Sequence, residues 1–307
     1  MITREHYFYS NGYKLKAALY LPDDFKEGQA RPCIISNSGY MGLNSIYPAL
    51  YARAMTARGY VAFGFDYRGF LENEGPAGVC KLEEQVEDIR NAVTYVQTLP
   101  EVGGQPIGLI GWGMAAALVI GAAAMEPAVK AVAGLNGFYN AEKWMRSVHS
   151  PEEFERMKGE IGREHSRFVR EGARAFANPF VYYPLDPATE EVVQGKLYVV
   201  DGYGQEISLE FGRSLLDFNA EEFIPKLRVP VLIGHGKDNL LHPLQGAEEF
   251  YGMLPQPKQF LLLEGKHNDF MSDSHPVFLA LADELDGFFQ RSFACKPAGT
   301  AGNGPAA

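Results

Sequence analysis

The stretch "GLIGWGMAAALVIGAAA", residues 108 to 124, decides how this chain is read. It begins as a short apolar run that suits a buried strand. It passes through a turn crowded with small residues and continues as an apolar helical segment. The turn itself is Gly111-Trp112-Gly113-Met114-Ala115. Glycine at its centre permits a left-handed backbone conformation, and glycine and alanine around it let strand and helix come close together.

The same kind of strand recurs on both sides of this stretch. "PCIIS" (32 to 36), "YVAFGFD" (60 to 66), "AVAGL" (131 to 135), "PVLIG" (230 to 234) and "QFLLLEG" (259 to 265) are continuous apolar runs of the length expected for parallel strands covered on both faces. Ahead of them "HYFYSNGYKLKAALYLP" alternates in two runs about Asn11-Gly12, a pair that favours a two-residue hairpin turn. Helical patterns lie between the strands. "LEEQVEDIRNAVTYVQTL" places Leu82, Val86, Ile89, Val93 and Val96 on one stripe, with acids at its start where the helix dipole favours them. A last helix over 277 to 289 turns Phe278, Leu281, Leu285 and Phe288 inward. Strands alternating with such helices predict an α/β fold, a doubly wound and mostly parallel sheet.

The alternation breaks between residues 137 and 228, about 90 residues where an ordinary connection takes a handful. Within it Phe154, Met157, Ile161 and Phe168 recur at helical spacing among charges of both signs, so a helical insertion is expected, placed as a lid over the carboxyl ends of the strands. The expected organisation is a core of residues 1–136 and 229–291, a lid of 137–228, and a flexible tail of 292–307 made mostly of Ala, Gly and Pro.

Composition narrows the function. Formal net charge is −10, which argues against nucleic acid or an anionic membrane as partner. No segment approaches the 18 to 20 or so uninterrupted apolar residues of a membrane span, and the first residues carry no apolar run of signal-peptide length. Cys33, Cys80 and Cys295 have no metal-ligand spacing and cannot all pair, so a reducing compartment, neither metal nor organic cofactor, and a cytoplasmic protein acting on small molecules are the expectations.

The turn at 111–115 matches the nucleophile elbow, written G-x-S-x-G, except at the nucleophile and the final glycine. Downstream, "PVLIGHGKDNLLHP" places Asp238 just past one strand, and "FLLLEGKHNDF" places His267 just past the next. Both fall at the carboxyl edge of the sheet, where α/β folds bind ligands. With "SNSGYMG" after the third strand and "FDYRGFLENEG" after the fourth, five segments occur in the order of one fold. The chain thus resembles the α/β-hydrolase superfamily, nearest to its dienelactone-hydrolase and acyl-peptidase-like branch, over most of residues 1 to 291.

That resemblance implies His267 as general base and Asp238 as the carboxylate orienting it. It implies the backbone N–H groups of Met114 and Tyr40 as the oxyanion hole, and Gly113 in the nucleophile's place. Trp112 and His242 are expected at the substrate, His242 at the rim where a helix begins. Ser36, Ser38 and Cys80 sit on no elbow and are read as loop residues, while Arg68 and Glu72 are expected to brace loops through ion pairs.

Three readings of the missing hydroxyl stay open. In the first, an enzyme uses the His267–Asp238 pair without a covalent intermediate, for hydrolysis or for lyase, cyclase or isomerase chemistry on a small acyl or carbonyl compound. A serine site stripped of its nucleophile still retains about 10³ to 10⁴-fold acceleration. In the second, a serine hydrolase has had its nucleophile replaced to trap a complex. In the third, the protein is a catalytically inactive binding or interaction protein.

Overall fold

The computed structural model describes residues 1–39 and 41–294. The chain opens with an antiparallel hairpin of β1 (Ile2–Ser10) and β2 (Tyr13–Leu21), turned by Asn11 and Gly12, both at positive φ. There follow β3 (Cys33–Asn37), α1 (Tyr47–Thr56), β4 (Val61–Phe65), α2 (Leu82–Val96), β5 (Ile107–Trp112), α3 (Ala115–Met125) and β6 (Val129–Leu135). One sheet takes the order β1-β2-β4-β3-β5-β6-β9-β10, where β9 is Val231–Gly236 and β10 is Lys258–Leu263. β2 runs antiparallel to β4, and every pairing from β4 to β10 is parallel. All residues of β3, β4, β5 and β9 are buried, as both-face coverage requires. The α/β-hydrolase fold is therefore the observed architecture.

Two helix layers provide that coverage. α1 packs with the closing helix α9 (Pro276–Ala294), whose Phe278, Leu281, Leu285 and Phe288 are buried against Ile34, Ile110 and Leu232 of the sheet. α2 and α3 cover the opposite face. The stripe read from α2 is buried in full, and Ala115 to Ala123 of α3 are buried on every side. α2 ends at Val96, a turn before Pro100, through a tight turn in which the Leu99 amide bonds the Val96 carbonyl.

Between β6 and β9 lie α4 (Ala141–Val148), α5 (Pro151–Glu171), a two-residue β7 (Phe176–Ala177), α6 (Pro187–Val192), β8 (Ile207–Ser208) and α7 (Glu210–Asp217). α5 is the longest, and its limits are written in its sequence. Ser150 and Glu153 form a reciprocal capping box, Pro151 occupies the first turn, and Gly172 closes the helix at φ 68°. Phe154, Met157 and Ile161 are buried in one apolar cluster with Phe211 and Leu215 of α7 and with α2 and α3, so the segment is packed onto the core. It is also pinned there, because the Ser214 hydroxyl accepts from the Leu82 amide and donates to Glu83 at the start of α2. α8 (Leu244–Met253) follows β9.

Candidate active site

The turn between β5 and α3 is as tight as its sequence suggests. Gly113 stands at φ +59°, its amide donating to the Leu135 carbonyl at 2.9 Å and its carbonyl accepting from Ala116 at 3.0 Å. A side chain at Gly111 would overlap the Ala115 carbonyl, so that glycine is what lets strand and helix meet. At Gly113 there is room. A β-carbon built there would lie 3.7 Å from Nε2 and 3.8 Å from Cε1 of His267, ordinary contact distances. The structure thus brings Gly113 and His267 face to face, with one small group's worth of space between them.

Asp238 is not part of that arrangement. β9 runs on to Gly236, the Asp238 amide is tied to the Gly265 carbonyl at 3.1 Å, and its side chain is exposed. The inward position belongs to the next residue, Asn239, 2% exposed, whose Oδ1 accepts from the His242 amide at 3.0 Å. Nδ1 of His267 is buried with no hydrogen-bond partner among the described residues. The expected His267–Asp238 hydrogen bond is not formed, and among the described residues no carboxylate bonds His267.

What surrounds His267 is imidazole and aromatic carbon. His242 lies edge to face at 5.0 Å between ring centroids and Trp112 tilted at 5.1 Å. His242 departs from expectation as well. α8 begins two residues later, and His242 is no rim residue but 1% exposed, bonded through Nδ1 to the Asn136 carbonyl and through Nε2 to the Tyr183 hydroxyl, both at 2.7 Å. A carbonyl only accepts, so Nδ1 carries the proton and Tyr183 donates to Nε2. His235 likewise donates from Nε2 to the His242 carbonyl at 2.8 Å. Burial pushes His235 down to about 4 and His242 to about 3. Burial, with the two neighbouring histidines adding to it, holds His267 well below its ordinary range. The cluster is neutral at pH 7.

Asn136 ties these loops together and was not singled out from sequence. Buried at φ 49°, it donates from Nδ2 to the His267 carbonyl at 2.9 Å and accepts at Oδ1 from the Gly236 amide at 2.6 Å; its own amide reaches Gly234. One side chain thereby fixes the ends of β6 and β9 and the His267 loop. An Asn-Gly pair at a strand's carboxyl end was the available signal.

The cavity at Gly113 and His267 measures about 80 Å³ and is walled by Trp112, Met114, Tyr47, Leu241 and, from the inserted segment, Tyr183, Leu185, Val193 and Tyr203. Trp112 is 2% exposed and its Nε1 has no hydrogen-bond partner among the described residues. Ser38 borders the same cavity, while Ser36 and Cys80 are buried away from it. Met114 caps α3 beside Gly39, where a β-carbon would lie 3.9 Å from the Met114 nitrogen. Tyr40 lies outside the described residues, as do residues 295–307 of the expected tail. Arg68 pairs with Asp88, and Glu72 with Lys16. No group of His, Cys, Asp and Glu able to hold a metal occurs among the described residues, and no described helix is long and apolar enough to cross a membrane.

Comparison with known proteins agrees with this architecture. Residues 28–274 match the family model described as serine aminopeptidase, S33. An uncharacterised Pseudomonas aeruginosa protein, PA2218, is 26% identical over 298 residues, spanning 91% of this chain and 77% of its own length. Its crystal structure superposes with a TM-score of 0.77 over 95% of this chain and 94% of that one. The α/β hydrolase GrgF from Penicillium superposes at 0.80 with 18% identity, over 96% of this chain and all of its own. The thiohydrolase aneE of Aspergillus aculeatus is 31% identical over 124 residues, 40% of this chain and 37% of that protein.

Proposed function

The chain belongs to the α/β hydrolases, in the serine aminopeptidase S33 family, and from that premise we propose that it is an enzyme acting without a covalent intermediate on a small, neutral carbonyl compound. The observation that carries this reading is the 3.7 Å between His267 Nε2 and the missing β-carbon of Gly113. A substrate C–H or O–H group placed there takes the position a serine hydroxyl would hold, within reach of an imidazole that is neutral at pH 7. The Met114 amide is the donor for the carbonyl oxygen as negative charge develops on it.

The missing carboxylate shapes the chemistry. In a triad the acid stabilises the imidazolium formed when histidine accepts a proton. Here that cation forms in apolar surroundings without a partner, so it is short-lived and gives its proton up again, to solvent or to the product, within the same turnover. Proton removal beside a carbonyl followed by reprotonation, as in isomerisation or ring closure, suits such a base better than activation of water. A second reading, a protein that binds the same ligand without turnover, is favoured by the same unpartnered Nδ1, because a deeply buried base is also a weak one.

Exchange of the α-hydrogens of 2-butanone in D2O, followed by proton NMR, separates the two. Acceleration over buffer that disappears in His267→Gln supports the enzyme. Binding without exchange supports the second reading. Gly113→Ser with a fluorophosphonate probe adds a control: labelling of the serine form alone places the substituted oxygen against His267.

A further inference from the structure

A cavity of about 80 Å³ holds only a few heavy atoms, whereas sites for small organic molecules run to about 300 to 1,000 Å³. A second hollow of about 380 Å³ lies immediately beyond it, between α4 and α8, floored by Phe138 and Trp144, whose rings stack at 4.6 Å and 4°. No described residue lines both, and the partition between them is made of side chains in contact, one from each wall. His242 borders the outer hollow and touches His267 of the inner one; it is bonded to Tyr183, which borders the inner one. Trp144 borders the outer hollow, packs on Tyr183 at 4.6 Å, and donates from Nε1 to the carbonyl of Leu241, an inner-wall residue.

We propose that the hollow between α4 and α8 is the distal half of the substrate site, taking an uncharged apolar tail of the carbonyl compound, and that Trp144, Tyr183 and His242 form the partition that such a tail displaces. This rests on the reading of Gly113 and His267 as the carbonyl site. The rim speaks for an uncharged tail. Its two cations are already paired, Lys143 with Glu221 at 2.8 Å and Arg146 with Glu142 at 2.9 Å, so neither is left to select an anion. The floor, in contrast, is aromatic carbon. Tyr183 and Trp144 then set substrate length: with the partition closed only short compounds fit, and displacement of these rings joins the two volumes.

The chain has two tryptophans, Trp112 in the wall of the inner cavity and Trp144 facing the outer hollow, which makes the proposal measurable. The probes are methyl ketones from 2-butanone to 2-nonanone, bound to the full chain and followed by calorimetry. Affinity is expected to rise about threefold to fourfold per methylene along the series. In Trp112→Phe, emission from Trp144 should shift with the longer ketones and stay unmoved by 2-butanone. Tyr183→Phe, which frees the partition while keeping its bulk, should speed association of the long members more than that of the short ones. Affinity that levels off after the shortest members, with Trp144 emission unmoved, overturns the distal site while leaving the carbonyl site standing. If 2-butanone itself fails to bind, the carbonyl reading falls and the distal site falls with it. The calorimetric series uses the unaltered protein, so the proposal is tested even if Trp112→Phe does not fold.

Discussion

Two buried polar clusters flank the sheet's carboxyl edge, and they are built on opposite principles. At Arg68, 5% exposed, the guanidinium meets Asp88, which is fully buried, through Nε at 2.9 Å and Nη2 at 2.6 Å. Nη2 also donates to Ser10, and the Arg68 amide reaches the second carboxylate oxygen. Charge is present and wholly answered. At His267 three buried imidazoles gather, and among the described residues no carboxylate bonds any of them and two ring nitrogens, Nδ1 of His235 and Nδ1 of His267, have no partner. Charge is kept out and polar groups are left open. The first arrangement braces a loop against α2, while the second suits a ligand that completes it.

Removing one partner from the answered cluster should have the largest effect. Asp88→Ala leaves a guanidinium buried and unpaired and should cost about 3 to 5 kcal/mol in urea unfolding. Arg68→Met with Asp88→Leu should recover most of that loss. A single substitution costing under about 1 kcal/mol would mean the two clusters differ less than their geometry implies.

The histidine cluster should answer to pH instead. In the unfolded chain its three imidazoles ionise near 6.5, whereas in the fold His235 and His242 are pushed down to about 4 and about 3, and His267 well below 6.5. Between those values the unfolded state binds more protons. Stability is therefore full above about pH 6.5 and is lost as pH falls, with a slope approaching about 1.4 kcal/mol per pH unit for each histidine. Asp66, raised to about 6 by burial, acts in the opposite sense below pH 6 and offsets about one histidine's share. Urea unfolding at pH 7, 6 and 5 should show this decline, and stability that holds level or rises over that range would contradict it.

Smaller effects sharpen the contrast. Tyr183→Phe leaves His242 Nε2 buried without its donor and should cost about 1 to 3 kcal/mol by thermal unfolding. Asp238→Asn should change stability by less than about 0.5 kcal/mol, because the side chain is exposed and apart from the cluster. Any activity found with His267 should also change by less than about twofold. A large loss of activity in that variant would restore the dyad that the geometry denies.

The difference between these clusters also marks how far the sequence could be read. The sheet was legible because β3, β5 and β9 are continuous apolar runs between turn residues, and Asn11-Gly12 announces its hairpin. Gly113 and His267 were legible because each lies next to a strand end whose place in the sheet was clear. Asp238 lies in the turn beyond β9, where strand periodicity no longer holds: Lys237 and Asp238 are both exposed there, and the buried position falls to Asn239. Tyr183 and Trp144 lie on the long insertion, where no periodic pattern relates a residue to the sheet edge it meets, and their contacts with His242 are set by tertiary packing alone.

His267 is a neutral imidazole that faces the space at Gly113, with no acid bonded to it among the described residues. Titration of histidine Cε1 resonances by NMR, with His267 assigned through His267→Gln, tests this directly. The prediction is a His267 signal that stays in its neutral form far below pH 6.5. A titration at or above pH 6.5, moving to lower pH in Asp238→Asn, would show a carboxylate partner and contradict it.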